Sequence, residues 1–168
     1  TIPFAAFTTI GCKGNKWYRR IDEVYVQPSE YEDIVRTLER DRIVFISGSP
    51  EHGKTYTALR LMWEYYSRGY DPIWFKGGEP IERIVVRRKL ENIRPQLRPK
   101  RIIYFEDPFG TWKYERREGL ERDIGTIIDL IKLVEDVFVI ITSREEVFKE
   151  FKKEKLSATH LEQFEEKL

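Results

Sequence analysis

The chain has 168 residues, enough for one ordinary domain with a single core. Thirty basic residues against 29 acidic ones leave a net charge of +1, so no global basic field points to nucleic acid. No apolar run reaches the ~18 residues of a membrane-spanning helix, there is no secretory leader pattern, and the one cysteine, Cys12, excludes an internal disulfide and fits a reducing cytoplasm.

Residues 1–20 show little periodicity, and Gly11, Gly14 and Asn15 read as a loose arm, assigned to 1–22. Trp17 and Tyr18, beside Arg19 and Arg20, read as anchors of that arm rather than as a base-stacking platform. Val24–Val26 is a short β-like segment closed by Pro28. Ser29 then reads as an N-cap for a helix carrying Tyr31, Ile34, Val35 and Leu38 at helical spacing. Ile43–Ile46 is apolar on both faces, as a buried parallel strand should be. A helix is expected from Lys54 to Ser67, ended by Gly69, then a strand over Pro72–Phe75 ended by Gly77 and Gly78. Ile81–Ile93 reads as a helix with Arg87, Arg88 and Lys89 on its solvated face, and Pro95 and Pro99 close the segment after it. Ile102–Phe105 is a third strand, Asp123–Glu135 a helix, and Val137–Ile141 a fourth strand. The stretch Glu145–Leu168 is charged and looks helical, with Leu156–Leu161 assigned as the final core strand. Together these predict an α/β fold with three α/β/α layers and a mostly parallel sheet, its core spanning 23–161. A start at Thr1 and an end inside a helical pattern suggest a piece of something longer.

Ligands on such sheets sit at the carboxyl ends of the strands. Here those ends read Ser47-Gly48, Lys76-Gly77, Glu106-Asp107 and Ser143-Arg144, all polar. The first opens Gly48-Ser-Pro-Glu-His-Gly-Lys-Thr55, a full match to the Walker A pattern G-x-x-x-x-G-K-[ST]. A chain of this length matches by chance roughly 1% of the time at average usage, and this match lies between a buried strand and a helix, as the motif requires. Gly48 and Gly53 let backbone N–H groups face a phosphate, and Ser49, Pro50, Glu51, His52 and Tyr56 complete the loop and its exit. Lys54 reaches the β- and γ-phosphates, and the Thr55 hydroxyl can ligate Mg²⁺ at the positive end of the helix. His52 reads as filler in the loop rather than as a base.

A metal–nucleotide site needs one acid for the metal and, for hydrolysis, a second to handle the attacking water. By position Glu106 takes the metal role and Asp107 the catalytic one, with the reverse register, Asp107 on the metal, left open. The order is the opposite of the usual Asp-then-Glu pair. Ser143 and Arg144 are placed to sense the γ-phosphate and offset its charge. Arg116, Arg117 and Arg122 read as a solvated face rather than as arginine fingers. Tyr25, Val26 and Tyr31 are candidates to line an adenine pocket, and none of them excludes guanine.

The phosphate loop, the Glu106–Gly110 run with its Asp-Pro-Phe-Gly ending, and Thr142-Ser143-Arg144 resemble a STAND-type NTPase branch of the additional-strand P-loop ATPases, within the AAA+ and STAND group. That branch reads Asp-Asp-Pro-Phe-Gly at the second motif and Thr-Ser-Arg at the third, so Glu106 departs from it. The resemblance covers roughly residues 24–148. It implies a central phosphate-loop strand flanked by the third-motif strand, with the Val24–Pro28 segment near the base. It also implies a nucleotide-controlled switch with a helical lid, of which residues 162–168 would be the truncated start, and further C-terminal modules through which it meets a protein partner or itself. The expected activity is Mg-dependent ATP binding, GTP being less favoured, with hydrolysis slow in an isolated fragment. The rival is a switch that binds nucleotide without hydrolysing it. A small-molecule phosphotransferase lacks an Arg-rich lid segment here, and the charge balance disfavours a DNA motor.

Overall fold

A computed structural model describes residues 2–3, 25–50, 53–75, 99–116, 119–154 and 159–168. In chain order these form β1 (Ile2–Pro3), α1 (Tyr31–Asp41), β2 (Ile43–Gly48), α2 (Lys54–Ser67), β3 (Asp71–Phe75) and β4 (Arg101–Glu106). Then follow α3 (Leu120–Leu133), β5 (Val137–Arg144), α4 (Glu145–Glu154), α5 (Thr159–Glu162) and β6 (Glu165–Lys167). The expected helix over Ile81–Ile93, the arm residues Cys12 and Trp17 to Arg20, and the strand end at Lys76–Gly78 lie outside the described residues.

The six strands make one sheet in the order β1-β3-β4-β5-β2-β6. Strands β3, β4, β5, β2 and β6 run parallel, and only β1 is antiparallel, against β3. The phosphate-loop strand β2 is interior, flanked by the third-motif strand β5, as the resemblance implied, and on its other side by β6. All six residues of β2 are buried. Successive side chains along a strand point to opposite faces, and that alternation divides the core. Phe45, Ile103, Phe105, Val139 and Ile141 pack with Ile124, Ile127 and Ile128 of α3 and Phe148 and Phe151 of α4. Val44, Ile46, Ile102, Tyr104 and Ile140 pack with Ile34 and Leu38 of α1 and Ala58, Leu61 and Met62 of α2. The result is helices on both faces of the sheet, three α/β/α layers.

Several boundaries differ from expectation for physical reasons. Glu30, not Ser29, occupies the N-cap of α1, and no side chain caps it. The carbonyl of Pro28 instead accepts from the Tyr31 N–H at 3.1 Å. Tyr25 and Val26 are not in a strand. Helix α3 starts at Leu120, three residues early, because Gly119 at φ +79° supplies its N-cap backbone.

The largest correction is at the C-terminal end. Thr159–Glu162 of the expected strand Leu156–Leu161 and its exit is helical, and the final strand is Glu165–Lys167, inside the stretch expected to open a lid. Its anchors, Leu161 and Phe164, are buried, and Phe45 N–H bonds the Phe164 carbonyl at 2.8 Å. An edge strand of Glu-Glu-Lys is legible only from its partners: Ser47 Oγ donates to Glu165 Oε1 and Thr37 Oγ1 to Glu166 Oε1, both at 2.6 Å.

Candidate functional site

The carboxyl ends of β2, β4 and β5 come together because the three strands are neighbours. Gly48 pairs in register with Arg144, and Glu106 with Thr142. The Asp107 N–H continues the ladder to the Thr142 carbonyl at 3.1 Å. Between these ends and the start of α2 lies a cavity of about 350 Å³, lined by Pro50, Gly53, Lys54, Thr55, Tyr56, Glu106, Asp107 and Arg144. Residues far apart in sequence thus share one polar hollow at a helix N-terminus, where partial positive charge accumulates.

Two glycines shape the loop in different ways. Gly53 is the N-cap of α2 at φ +76°, a left-handed conformation costly for other residues. Gly48 is required by a close approach, since a Cβ there would lie 2.2 Å from the Leu168 carbonyl oxygen. Leu168 reaches that point because its N–H bonds the Ser47 carbonyl at 2.8 Å. Glu51 and His52 lie outside the described residues.

Lys54 is buried, 6% exposed, and its ammonium is folded back on the loop: Nζ donates to the Gly48 carbonyl at 3.0 Å and the Ser49 carbonyl at 2.6 Å. Burial lowers its pKa and nearby Arg144 adds to that, while Asp107 opposes both. Thr55 Oγ1 donates to Glu106 Oε1 at 3.2 Å, so the hydroxyl and the first acid are already in contact. Asp107 stands on a left-handed residue, φ +47°. Burial, and then the neighbouring Glu106 charge, raise its carboxyl to about 6, against the pull of Lys54 and Arg144.

The Asp-Pro-Phe-Gly run is a built turn. Phe109 is fully buried against Phe45, Phe148 and Phe151, with its ring centroid 4.4 Å from that of Phe151. Gly110 closes the turn, its N–H on the Asp107 carbonyl at 3.2 Å. Its φ is +120°, and a Cβ there would meet the Lys113 carbonyl oxygen at 2.0 Å. The motif therefore aims the acidic pair from a core anchor.

Ser143 does not line the cavity. It is fully buried, with its hydroxyl donated to the Arg144 carbonyl at 3.1 Å. The adenine-pocket candidates also lie off the cavity. Tyr25 OH pairs with Thr57 Oγ1 at 3.2 Å, Tyr31 is buried edge-on to Tyr25, and Val26 is 86% exposed. Arg116 is in a forked pair with Glu154 and Arg122 is exposed, as a solvated face should be, and Arg117 lies outside the described residues.

Two residues at the site escaped the sequence reading. Tyr104, buried in the middle of β4, shares a hydrogen bond of 2.9 Å with Thr142 Oγ1. It ties the second-motif strand to the third. A hydroxyl in an otherwise apolar strand was the available signal, since buried tyrosine oxygens find partners. Trp112, 80% exposed, stacks on the Arg144 guanidinium at 4.1 Å. Among the described residues no group of three or more His, Cys, Asp or Glu side chains is arranged to hold a metal by itself, and no helix is long and apolar enough to cross a membrane.

Comparison with known proteins places this arrangement. Among solved structures, the chain is similar to AMPPCP-bound DnaA from Aquifex aeolicus (TM-score 0.63, 17% identity, 88% of this chain and 49% of that one). It is also similar to a DNA replication initiation factor (TM-score 0.61, 17% identity, 88% and 48%). A third is the DnaC helicase loader (TM-score 0.52, 14% identity, 88% and 94%). At these identities the likeness is one of fold, and the chain spans about half the length of the first two. No curated protein matches it in sequence. The Novel STAND NTPase 3 family matches residues 25–168, which include the phosphate loop, the acidic strand end and the Thr-Ser-Arg tip. The chain therefore belongs to the Novel STAND NTPase 3 family and is a nucleotide-binding, NTPase-type domain.

Proposed function

We propose that this domain binds Mg–ATP at Gly48–Thr55 and hydrolyses it slowly, as the nucleotide-responsive core of a larger regulatory protein. The observation that carries the reading is the convergence of Lys54, Thr55, Glu106, Asp107 and Arg144 on one cavity. The residues fit a magnesium-bound triphosphate. Thr55 and Glu106 already touch and would hold the metal, with Asp107 in that place as the alternative register. When bound, magnesium neutralises phosphate oxygens and offsets the paired carboxylates.

The chain's own groups supply the rest. Loop N–H groups and the start of α2 receive the β-phosphate, with Gly48, Ser49, Pro50, Glu51, His52, Gly53 and Tyr56 forming or flanking that cradle. The Lys54 ammonium exchanges backbone carbonyls for phosphate oxygens, gaining a charged partner. Asp107 orients water for attack on the γ-phosphorus and takes its proton as the bond to the bridging oxygen breaks, releasing ADP and phosphate. Arg144 offsets charge on the transferring group, and Ser143 supports it through the backbone. The partner is a protein, or a second copy, reached through modules beyond this domain, and the setting is cytoplasmic.

A second reading, a switch that binds without hydrolysing, is favoured by one feature: Asp107 reaches one methylene less than the usual glutamate. A phosphate-release assay on wild type, Glu106→Gln and Asp107→Asn separates the two. Release in wild type that Asp107→Asn abolishes supports hydrolysis. Nucleotide binding with no release in wild type supports the switch.

A further inference from the structure

Trp112 is the most exposed large aromatic ring among the described residues, at 80%, and it lies against Arg144, which lines the cavity. The Trp112 backbone is closely constrained: Phe109 roots the loop in the core, the Glu115 N–H closes it on the Phe109 carbonyl at 2.8 Å, and Gly110 admits only a close backbone pass. The indole face meets the Arg144 guanidinium, with the guanidinium carbon 4.1 Å from the ring centroid. Arg144 in turn lines the cavity and is near enough to act on the charges of both Lys54 and Asp107.

A half-exposed arginine at a strand end samples many rotamers, and two cations beside a cavity repel each other. The ring face offsets both effects, because its quadrupole attracts the guanidinium and its plane restricts the side chain. We propose that Trp112 is a positioning residue for Arg144: the loop holds the indole so that it presents the guanidinium to the terminal phosphate of a bound nucleoside triphosphate. This rests on the reading of the cavity as a triphosphate site. It adds that discrimination between triphosphate and diphosphate depends on an aromatic ring outside the phosphate loop.

The test has two arms. Arginine side-chain NMR of the nucleotide-free protein reads the stack itself. The Arg144 Nε–H and Cδ–H signals, identified by their loss in Arg144→Ala, should be ring-current shifted upfield in wild type and Trp112→Phe, and unshifted in Trp112→Leu. Calorimetric titration then compares Mg–ATP with Mg–ADP. Arg144→Ala should lose most of the preference for ATP. Trp112→Leu should lose about two- to fivefold of it, the size of a cation–π contact at an exposed site, and Trp112→Phe should keep the larger part. Unshifted Arg144 signals in wild type overturn the proposal without touching the nucleotide reading. So does a full ATP preference in Trp112→Leu alongside a lost one in Arg144→Ala. An unchanged preference in Arg144→Ala overturns the role given to Arg144, and the proposal with it.

Discussion

Replacing Asp107 by Asn should make the nucleotide-free domain more stable at neutral pH. Burial and the Glu106 charge raise the Asp107 carboxyl from 3.8 to about 6. A folded-state value above the unfolded one means the native state binds the proton more tightly. Stability from this group is therefore full below the unfolded value, falls as pH rises between 3.8 and about 6, and stays low above that. At about 1.4 kcal/mol per pH unit the full difference is about 3 kcal/mol. The carboxyl is half-buried, so water screens it and about 1 to 2 kcal/mol remains. Asn removes the charge, keeps the shape and tolerates the left-handed φ of +47° at this position. Thermal unfolding of both proteins in a chelator without nucleotide, from pH 3.5 to 7.5, is the assay. The variant should melt with wild type near pH 3.5 and about 3 to 6 °C above it at pH 7.5. A variant that is less stable at pH 7.5, or a gap that does not widen with pH, would refute the account of Asp107 as a destabilised carboxylate.

Two further substitutions probe how the site is held. Tyr104→Phe removes the hydroxyl shared with Thr142, and should cost about 1 kcal/mol in chemical denaturation. An unchanged denaturation midpoint would leave Tyr104 a packing residue. Phe109→Ala empties the pocket between Phe45, Phe148 and Phe151, and should cost about 3 to 5 kcal/mol. A loss below about 1 kcal/mol would mean that the Asp-Pro-Phe-Gly turn is not rooted in the core.

Much of this site is legible in the amino-acid order because its chemistry is local. The phosphate loop is one contiguous segment whose helix, Lys54–Ser67, follows at once. Strands β2, β4 and β5 are apolar on both faces, and each ends in the polar residues that a ligand at this edge needs. What stayed hidden depends on partners distant in sequence. Glu165–Lys167 is a strand only because β2 offers it an edge and Ser47 and Thr37 satisfy its carboxylates. Gly48 matters partly because Leu168 passes over it, 120 residues later. Ser143 looks like a ligand from its place at a strand tip, yet its hydroxyl turns to the Arg144 carbonyl. Trp112 reads as a loop residue until the fold brings Arg144 beneath its ring.

The central claim, a phosphate grip at Gly48–Thr55, is tested most directly by calorimetric titration of Mg–ATP and Mg–GTP into wild type and Lys54→Ala. Wild type should bind Mg–ATP saturably and Mg–GTP more weakly, and Lys54→Ala should lose both with its fold intact by circular dichroism. Unchanged binding in Lys54→Ala would overturn the grip, since the buried Lys54 ammonium at the cavity would then have no role in holding phosphate.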